Sequence, residues 1–450
     1  MDAVSLVSQL GGFLYTVGSF VVLLSVIVAV HEYGHYIVGR WSGIHAEVFS
    51  LGFGPVLMSR VDKRGTRWQV ALFPFGGFVK FLGDANAASG MDGDAMRAVE
   101  QDPAMLRKTM HGAPLWARAA TVAAGPMFNF ILSILIFAGV SLSQGRIEDP
   151  LTVGSLKALP DQGYSLKPGD EVLAIAGTPT PAFSDGAAWG AFERALPEQP
   201  VQDYRVLRDG AEIDVKGPNL RPSLVVAIAP RSAAADAGLR PGDVITAIDG
   251  TPVFAFSQLK TRVEAADGAP LALKVWNDGE TRDVTLSPRR TDEPTASGGF
   301  QSSWRIGVVG GLSFEPATSA ISPFKAVAQG ATQVWLMIEQ SLSGLKHIIT
   351  GDISTCNLSG PVAIAETSGT MASQGAVDFL WLIAALSTGI GLLNLFPVPV
   401  LDGGHLVFFA YEAVTGRTPS ERAMRILMTV GLALVLGLMM FSLSNDLLFC

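Results

Sequence analysis

Residues Phe13 to Val38 read FLYTVGSFVVLLSVIVAVHEYGHYIV, a long apolar run that ends around the motif His-Glu-Tyr-Gly-His. A run of about 20 mainly apolar residues is long enough to cross a membrane as a helix. Residues four apart share one face of a helix, so His31 and His35 can direct both imidazoles at one ion. The pattern of this segment therefore predicts a transmembrane helix that carries a metal-binding motif.

Glu32 directly follows the first of these histidines, as in the H-E-x-x-H zinc motif, where the glutamate is the general base. Burying a charge inside an apolar helix costs on the order of 3 kcal/mol, so such residues are functional by default. At about 1.5 Å per residue from Gly18, His31 lies roughly 20 Å deep in the membrane. The alternative is a helix end in the headgroup region, where the polar side chains are solvated.

A catalytic zinc needs a third protein ligand and one open position. The best candidate follows the third apolar run, in the stretch NLFPVPVLDGG from Asn394 to Gly404. Pro397 and Pro399 break the helix, which a membrane tolerates only where the backbone lines a cavity or is buried in protein. Asp402 is the preferred ligand because its charge is nearer the apolar span, and His405 is the competing one. The sequence thus predicts one zinc ion per chain.

Composition places much of the chain in lipid. Of the 450 residues, 49% are hydrophobic and 16% are charged. The formal net charge is −8 and no basic block occurs, so nothing favours a nucleic-acid partner. The two cysteines, Cys356 and Cys450, share no metal-ligand spacing and are interpreted as free thiols.

Four runs are long enough for transmembrane helices: Phe13–Val38, Ala119–Val140, Phe379–Phe396 and Ile426–Leu443. Lysine and arginine concentrate between the first two runs and before the last one; none precedes Arg40 and none follows Arg425. The positive-inside rule places these two stretches in the cytoplasm, and both termini and the segment from about 143 to 375 outside. The sequence predicts a polytopic α-helical membrane protein.

In the first cytoplasmic segment, the sequence predicts a β-hairpin or small sheet beside the membrane. Two runs rich in valine and phenylalanine, His45–Val56 and Arg67–Phe81, flank a turn at Val61–Thr66. Glycines within these runs allow bends or a close backbone approach.

The outer segment contains an internal repeat. LKPGDEVLAIAGTP begins at Leu166, and LRPGDVITAIDGTP begins at Leu239. Each copy has a turn, a short apolar strand and a second turn, which indicates two copies of one small β-rich domain. The pattern resembles PDZ domains, which bind extended peptides at a sheet edge. The first copy fits less well, with Tyr164 and Ser165 in place of Ala-Gly. Two structural domains without a ligand are the alternative.

Taken together, these motifs resemble the site-2 protease family of intramembrane metalloproteases. HExxH on the first span is combined with NxxPxPxLDGG after the third. GPMFNF, from Gly125 to Phe130, resembles the family's GPxxNF element, and LSGPVAI, from Leu358 to Ile364, resembles its LSGPVxIA element. The PDZ pair between the second and third spans resembles the bacterial regulator-of-sigma-E protease subgroup.

The resemblance implies a role for each matching residue. The zinc ligands are His31, His35 and Asp402, and the catalytic base is Glu32. Substrate-binding residues are Asn394, Pro397, Pro399, Gly52, Phe53, Gly54, Gly76 and Gly77. Structural residues near the site are Gly125, Pro126 and Asn129. The hairpin resembles a membrane-associated sheet that holds the unwound substrate as an added strand.

The implied function is cleavage within or near the transmembrane segment of single-span proteins already cut once outside the membrane. Implied partners are a membrane-bound anti-sigma factor, remnant signal peptides, trimmed substrate ends at the PDZ domains, and the lipid bilayer. The implied location is the bacterial inner membrane, with both termini periplasmic and the site toward the cytoplasm. The rival classes are a PDZ-bearing scaffold with an inactive zinc site and a zinc transporter. A complete ligand set with Glu32 argues against the first, and the lack of inverted repeats argues against the second.

The predicted domain organisation follows from these segments. Its five parts are the first half of the protease core (1–142), a first PDZ domain (143–222), a second PDZ domain (223–310), a periplasmic amphipathic helical connector (311–376) and the second half of the core (377–450).

Overall fold

A computed structural model describes residues 3–85, 92–99, 101–160, 163–295 and 299–449 of the chain. The contacts divide it into two units. The first unit comprises Met1–Val140, Pro323–Lys346 and Leu358–Cys450, and the second comprises Ser141–Ser322 and His347–Asn357. The long apolar helices belong to the first unit, and most strands belong to the second.

The helices are α1 (Ala3–Trp41), α2 (Gly93–Val99), α3 (Pro103–Leu106), α4 (Leu115–Gln144), α5 (Gly186–Ala195), α6 (Ala233–Asp236), α7 (Phe256–Ala265), α8 (Pro323–Thr350), α9 (Pro361–Gln374), α10 (Ala376–Asn394), α11 (Asp402–Thr415) and α12 (Glu421–Ser444). The strands of the first unit are β1 (Ala46–Val61) and β2 (Arg67–Phe81). Those of the second are β3 (Arg146–Ile147), β4 (Val153–Leu156), β5 (Glu171–Ile175), β6 (Thr178–Pro179), β7 (Val201–Arg208), β8 (Ala211–Pro218), β9 (Val225–Ile228), β10 (Val244–Ile248), β11 (Thr251–Pro252), β12 (Leu271–Asn277), β13 (Glu280–Leu286), β14 (Arg289–Pro294), β15 (Phe300–Arg305), β16 (Val308–Gly310), β17 (Phe314–Pro316) and β18 (Thr318–Ser319).

Within the described residues, four helical segments are long and apolar enough to cross a membrane: Gly11–Trp41, Leu115–Gln144, Ala376–Asn394 and Arg422–Leu448. Each overlaps one of the four predicted runs, and together with the β-sheets they fit the predicted membrane protein. The third run differs at its end, because α10 stops at Asn394 and not at Phe396. Pro397 cannot continue a helix, so the chain turns before α11 begins at Asp402.

Small residues let the apolar helices approach each other closely. A Cβ on Gly34 of α1 would lie 2.6 Å from the Ala124 carbonyl oxygen of α4. A Cβ on Gly391 of α10 would lie 3.1 Å from the Pro126 carbonyl oxygen, also on α4. Backbone-to-backbone contact of this kind is typical of helix packing in membranes. These contacts hold α1 and α10 against α4.

The two long strands of the first unit form a small sheet, which confirms the sequence prediction of a sheet in this region. Each strand folds back on itself. The pairing gives four strand segments in the order 77–81, 46–51, 67–71 and 56–61. Gly52 and Gly54 have φ angles of 87° and 86°, a region that favours glycine, and they make the reversal in β1. Between them, Phe53 stacks on Phe78 with ring centroids 5.9 Å apart.

The second unit repeats one topology. The two four-stranded sheets have the orders β6-β5-β7-β8 and β11-β10-β12-β13, with α5 and α7 at the same place in the chain order. The sequence repeat corresponds to these sheets. In each copy the aspartate of the Pro-Gly-Asp turn is buried and paired with an arginine: Asp170 with Arg208, and Asp243 with Arg282. Burial opposes ionisation of Asp170, but the Arg208 hydrogen bonds outweigh it and hold the pKa of this carboxyl below its usual value.

The chain returns to the first repeat after completing the second. β16 pairs with β9, and β17 then pairs with β4. Phe314 of β17 is buried in the first core, together with Leu151 and Tyr204. The first repeat therefore uses residues from beyond the stretch 143–222 that the sequence suggests for it.

The predicted connector, 311–376, contains β17, β18, α8 and α9. α8 buries three small or branched residues on one face, Ala326, Gly330 and Val334. A Cβ on Gly330 would lie 2.6 Å from the Ile134 carbonyl oxygen, so this face contacts α4. The opposite face leaves Phe324 and Trp335 exposed.

The N-terminus of α9 is held by the carboxylate of Asp446. The backbone N–H groups of Gly360, Val362 and Ala363 each donate to the Asp446 carboxylate at 3.1 Å. Cys356 is disulfide-bonded, so the prediction of a free thiol is wrong for this residue. Cys450 lies outside the described residues.

Candidate active site

A cavity of about 870 Å³ lies in the first unit, between the membrane-type helices and the edge of the small sheet. Its lining includes His31, Glu32 and His35 from α1, Asn394 at the end of α10, and Asp402 at the start of α11. Residues far apart in the sequence thus meet around one space. Their convergence follows from the close helix packing and from the turn between α10 and α11.

The turn between α10 and α11 sets the position of Asp402. A Cβ on Gly403 would collide with the carbonyl oxygens of Leu395 and Phe396, and one on Gly404 would collide with Val398. Only glycine allows the first turn of α11 to lie so close to the preceding backbone. Asp402 is consequently held beside α1.

Three ligand atoms converge in the cavity. Nε2 of His31 and Nε2 of His35 lie 3.1 Å apart, and Asp402 Oδ2 lies 3.2 Å from the first and 3.5 Å from the second. Among the described residues these side chains are the one group of three histidines, cysteines or acids whose ligand atoms come this close. His405 lines the cavity but is not part of this group.

These distances fit a tetrahedral zinc ion. Ligands about 2.0–2.1 Å from such an ion lie about 3.3 Å from one another. Asp402 Oδ2 is buried and has no aligned hydrogen-bond donor among the described residues, although two imidazole nitrogens are near it. The Nε2 atoms of the two histidines and the Asp402 carboxylate face a common centre, and this arrangement is typical of metal ligands. The residues present therefore fit the predicted zinc.

α4 supports both histidines from behind. Nδ1 of His35 lies 2.8 Å from the Thr121 carbonyl oxygen, which accepts its hydrogen bond. One turn further along α4, a Cβ on Gly125 would collide with both imidazoles, at 2.8 Å from Cε1 of His31. Asn129, another turn on, is fully buried beside His31. The GPMFNF element thus forms the wall against which the metal-binding rings lie.

Glu32 faces the edge of the small sheet. Gly77, Phe78, Val79 and Phe81 of this edge line the same cavity. A Cβ on Gly77 would lie 3.0 Å from Glu32 Cγ, so glycine lets the strand pass directly beside the carboxylate. Among the described residues, segment 77–81 pairs with 46–51 on one side and with no strand on the other. The free edge and Glu32 share the cavity.

The structure brings together only some of the predicted substrate residues. Asn394 and Gly77 line the cavity; Gly52, Phe53, Gly54, Gly76, Pro397 and Pro399 are not part of its lining. Gly52 and Gly54 make the strand reversal. Pro399 instead contacts α12, where a Cβ on Gly431 would lie 3.1 Å from its Cδ.

Two pairs of polar side chains near the site were not predicted from the sequence. Arg118 of α4 donates to both carboxylate oxygens of Glu412 of α11, at 3.0 and 2.5 Å. His111 Nε2 lies 3.2 Å from the buried Asp84 Oδ1. Arg118, Glu412 and His111 also line the cavity. The sequence signal for the first pair was an arginine at the start of one apolar helix and a glutamate within another. Charged side chains in such helices need partners of opposite charge.

The comparisons with known proteins agree with this geometry. The family model of peptidase family M50 matches residues 19–438. A protein of Agrobacterium fabrum named as a candidate zinc metalloprotease is 35% identical over 431 residues, which are 95% of this chain and 94% of the relative. The regulator of sigma-E protease RseP of Salmonella typhimurium is 32% identical, over 96% of this chain and 98% of the relative. Zinc, the metal in the name of the Agrobacterium fabrum relative, is also the metal that the ligand set found here fits.

Among the described residues, four helices suited to a membrane and a partly buried set of candidate metal ligands accompany a family match across nearly the whole chain. The chain belongs to peptidase family M50, the site-2 proteases, and is an integral membrane metalloprotease.

Proposed function

We propose that this protein hydrolyses a peptide bond within or near the transmembrane segment of single-span membrane proteins. One observation carries the proposal: His31, His35, Asp402 and Glu32 all line one cavity formed by membrane-type helices. A scaffold that had lost activity would have no reason to retain three converging ligands and a carboxylate beside them.

His31, His35 and Asp402 would hold one zinc ion per chain. When bound, zinc supplies Lewis-acid chemistry, which acidifies the attacking water and polarises the scissile carbonyl. Glu32 is the catalytic base: its carboxylate takes a proton from the attacking water and later delivers a proton to the leaving amine nitrogen. The cavity wall formed by Gly125 and Thr121 keeps the ligand rings in place during both transfers.

The substrate segment unwinds before cleavage, because a helix shields its own peptide bonds. Its exposed backbone groups must find partners inside the membrane. Segment 77–81 provides them, since its outer N–H and C=O groups can pair with an added strand. Glu32 lies beside this edge and not beside the other edge, 56–61, so the added strand runs along 77–81. The Asn394 amide then hydrogen-bonds the substrate backbone near the scissile bond.

The two repeats of the second unit act as PDZ domains that admit trimmed substrates. Their shared strand order and the turn signatures at Leu166 and Leu239 support this assignment. Each repeat has a short strand that pairs, within the described residues, with a single neighbour, β17 with β4 in the first and β16 with β9 in the second, and a peptide could add beside it. Substrates that retain a bulky outer domain are excluded.

The repeats are periplasmic, as are both termini, and the active site lies toward the cytoplasm. The lysine and arginine distribution supports this orientation. By analogy with the regulator of sigma-E protease named among the relatives, the substrates include a membrane-bound anti-sigma factor, whose cleavage starts an envelope stress response. Remnant signal peptides are a second substrate class.

Purified protein with a tagged, pre-trimmed single-span substrate tests this function. We expect a cut that mass spectrometry maps within or next to the apolar span, that a zinc chelator abolishes and that added zinc restores. A substrate of the same sequence with its outer domain intact is the control and should be cut more slowly. Cleavage only in exposed loops, or cleavage that survives complete zinc removal, would contradict the proposal.

A further inference from the structure

Each imidazole that binds zinc needs a partner on its other nitrogen. A histidine that coordinates through Nε2 carries its proton on Nδ1, and this N–H almost always donates to a carbonyl, a carboxylate or water. His35 has such an acceptor in the Thr121 carbonyl oxygen at 2.8 Å. His31, whose Nε2 also faces the centre of the site, requires an equivalent acceptor on its Nδ1 side.

The group on that side is the Asn129 amide. Its Nδ2 lies 3.3 Å from His31 Nδ1. Its Oδ1 is buried and has no hydrogen-bond partner in the part of the chain that the structure describes. An amide nitrogen at this place can only donate, which would leave the His31 proton on Nε2, the atom that the metal needs.

A half-turn of the Asn129 amide gives His31 Nδ1–H the acceptor that it lacks and gives Asn129 Oδ1 a hydrogen-bond partner. The oxygen and nitrogen of an asparagine amide exchange places within the same volume when the group turns by 180°. The turn places Oδ1 at the position 3.3 Å from His31 Nδ1, where it can accept the N–H. Without the turn, the Nδ2–H and Nδ1–H donors face each other, and neither has an acceptor there. The turned amide replaces this contact with a hydrogen bond, so it is the favoured one once His31 carries its proton on Nδ1.

We propose that Asn129 accepts the Nδ1–H of His31 through Oδ1 and is the positioning residue for the first zinc ligand. The proposal rests on the proposed function, since it presumes zinc at this site. Thr121 and Asn129 then do the same work for the two histidines from one face of α4, with Gly125 between them providing the space.

The backbone around Asn129 is suited to this task. Its carbonyl oxygen accepts from the hydroxyls of Ser133, at 3.0 Å, and Ser387, at 2.9 Å. Gly391 approaches its Cβ, where an added Cβ would lie at 3.2 Å. Contacts from both α4 and α10 therefore fix the residue from which the amide extends toward α1. A simple packing residue at the same place would not need a polar side chain.

Zinc affinity of variants tests the assignment on the full-length protein in detergent. Asn129→Leu removes the acceptor at nearly constant size, and we expect its zinc affinity to fall roughly 10–100-fold, the usual effect of losing such a partner. Asn129→Asp retains an acceptor oxygen and should bind zinc about as tightly as the wild type. Gly139→Ala, on the same helix at a position where an added Cβ meets no atom within 4 Å, is the matched control and should leave zinc affinity unchanged.

The order of the variants separates positioning from packing. If Asn129 merely fills space, the apolar leucine is tolerated better than a buried aspartate, and the order of zinc affinities is reversed; that result, or equal losses in both variants, overturns the proposal. Thermal unfolding in excess chelator shows whether each variant folds without metal. Asn129→Ala, which cannot overpack, replaces Asn129→Leu if the latter does not fold.

The wild type distinguishes this inference from the function on which it rests. Wild-type protein that binds no zinc would overturn the metal site and this inference together. Wild-type protein that binds zinc and cleaves substrate, alongside an Asn129→Leu variant of equal zinc affinity, overturns the role of Asn129 alone.

Discussion

Asp402→Asn is expected to lower zinc affinity at least about 100-fold and to abolish substrate cleavage, because loss of a mere supporting partner already costs 10–100-fold. Asparagine keeps the shape of the side chain but removes the negative charge that two neutral imidazoles cannot supply. The distances of 3.2 and 3.5 Å from Asp402 Oδ2 to the two imidazole nitrogens support the proposal that this oxygen is the third ligand. Competition with a chromophoric chelator measures the affinity, and a gel assay measures the cleavage.

His405→Ala is the comparison for this experiment. His405 lines the same cavity and follows Asp402 by three residues, yet it is outside the converging group. We therefore expect the alanine variant to keep its zinc. Loss of zinc in His405→Ala together with retention in Asp402→Asn would show that the ligand set is assigned wrongly.

Gly125→Ala is expected to reduce both zinc binding and cleavage, by at least about 100-fold for cleavage, since misplacement of a reacting group by 1 Å can cost that much. The added Cβ would lie too close to both imidazoles, at 2.8 Å from Cε1 of His31. Neither ring can move back without leaving Asp402. The measurement is zinc content per chain together with the initial rate of cleavage.

Gly139→Ala provides a control on the same helix. A Cβ at Gly139 meets no atom within 4 Å, so the substitution adds a methyl group to open space. Alanine also favours helix by roughly 1 kcal/mol over glycine, so stability should be equal or slightly higher. If both glycine variants lost activity equally, the cause would be a general effect on α4 and not contact with the histidines.

Much of the site could be predicted from the sequence because its signals are local. His31 and His35 are one helical turn apart, and their position in an apolar run makes them conspicuous. Asp402 is identifiable because two prolines break a helix just before it. Spacing along one helix and breaks in an apolar run depend only on neighbouring residues, so no knowledge of the fold was needed.

The remaining features depend on contacts between distant parts of the chain. The acceptor for the Nδ1–H of His35 is the backbone carbonyl oxygen of Thr121, and a backbone atom gives no signal in the sequence. The fold-back of β1 and β2 makes four segments from two apparent strands, and periodicity alone cannot show which edge stays free. Likewise, Phe314 completes a core whose other buried members lie between Leu151 and Leu220. Sequence motifs are therefore enough to predict the metal ligands. The hydrogen-bond partners of these ligands and the free edge of the sheet can be identified only from the fold.

Cleavage by Glu32→Gln, with zinc content measured in the same preparation, tests the central claim most directly. Glutamine fills the space of the glutamate but cannot take a proton from water, and general-base catalysis contributes roughly 10²–10⁴-fold to a rate. We predict that the variant binds zinc like the wild type and cleaves about 10³-fold more slowly. A variant that binds zinc and cleaves as fast as the wild type would contradict the assignment of Glu32 as the base and the mechanism built on it.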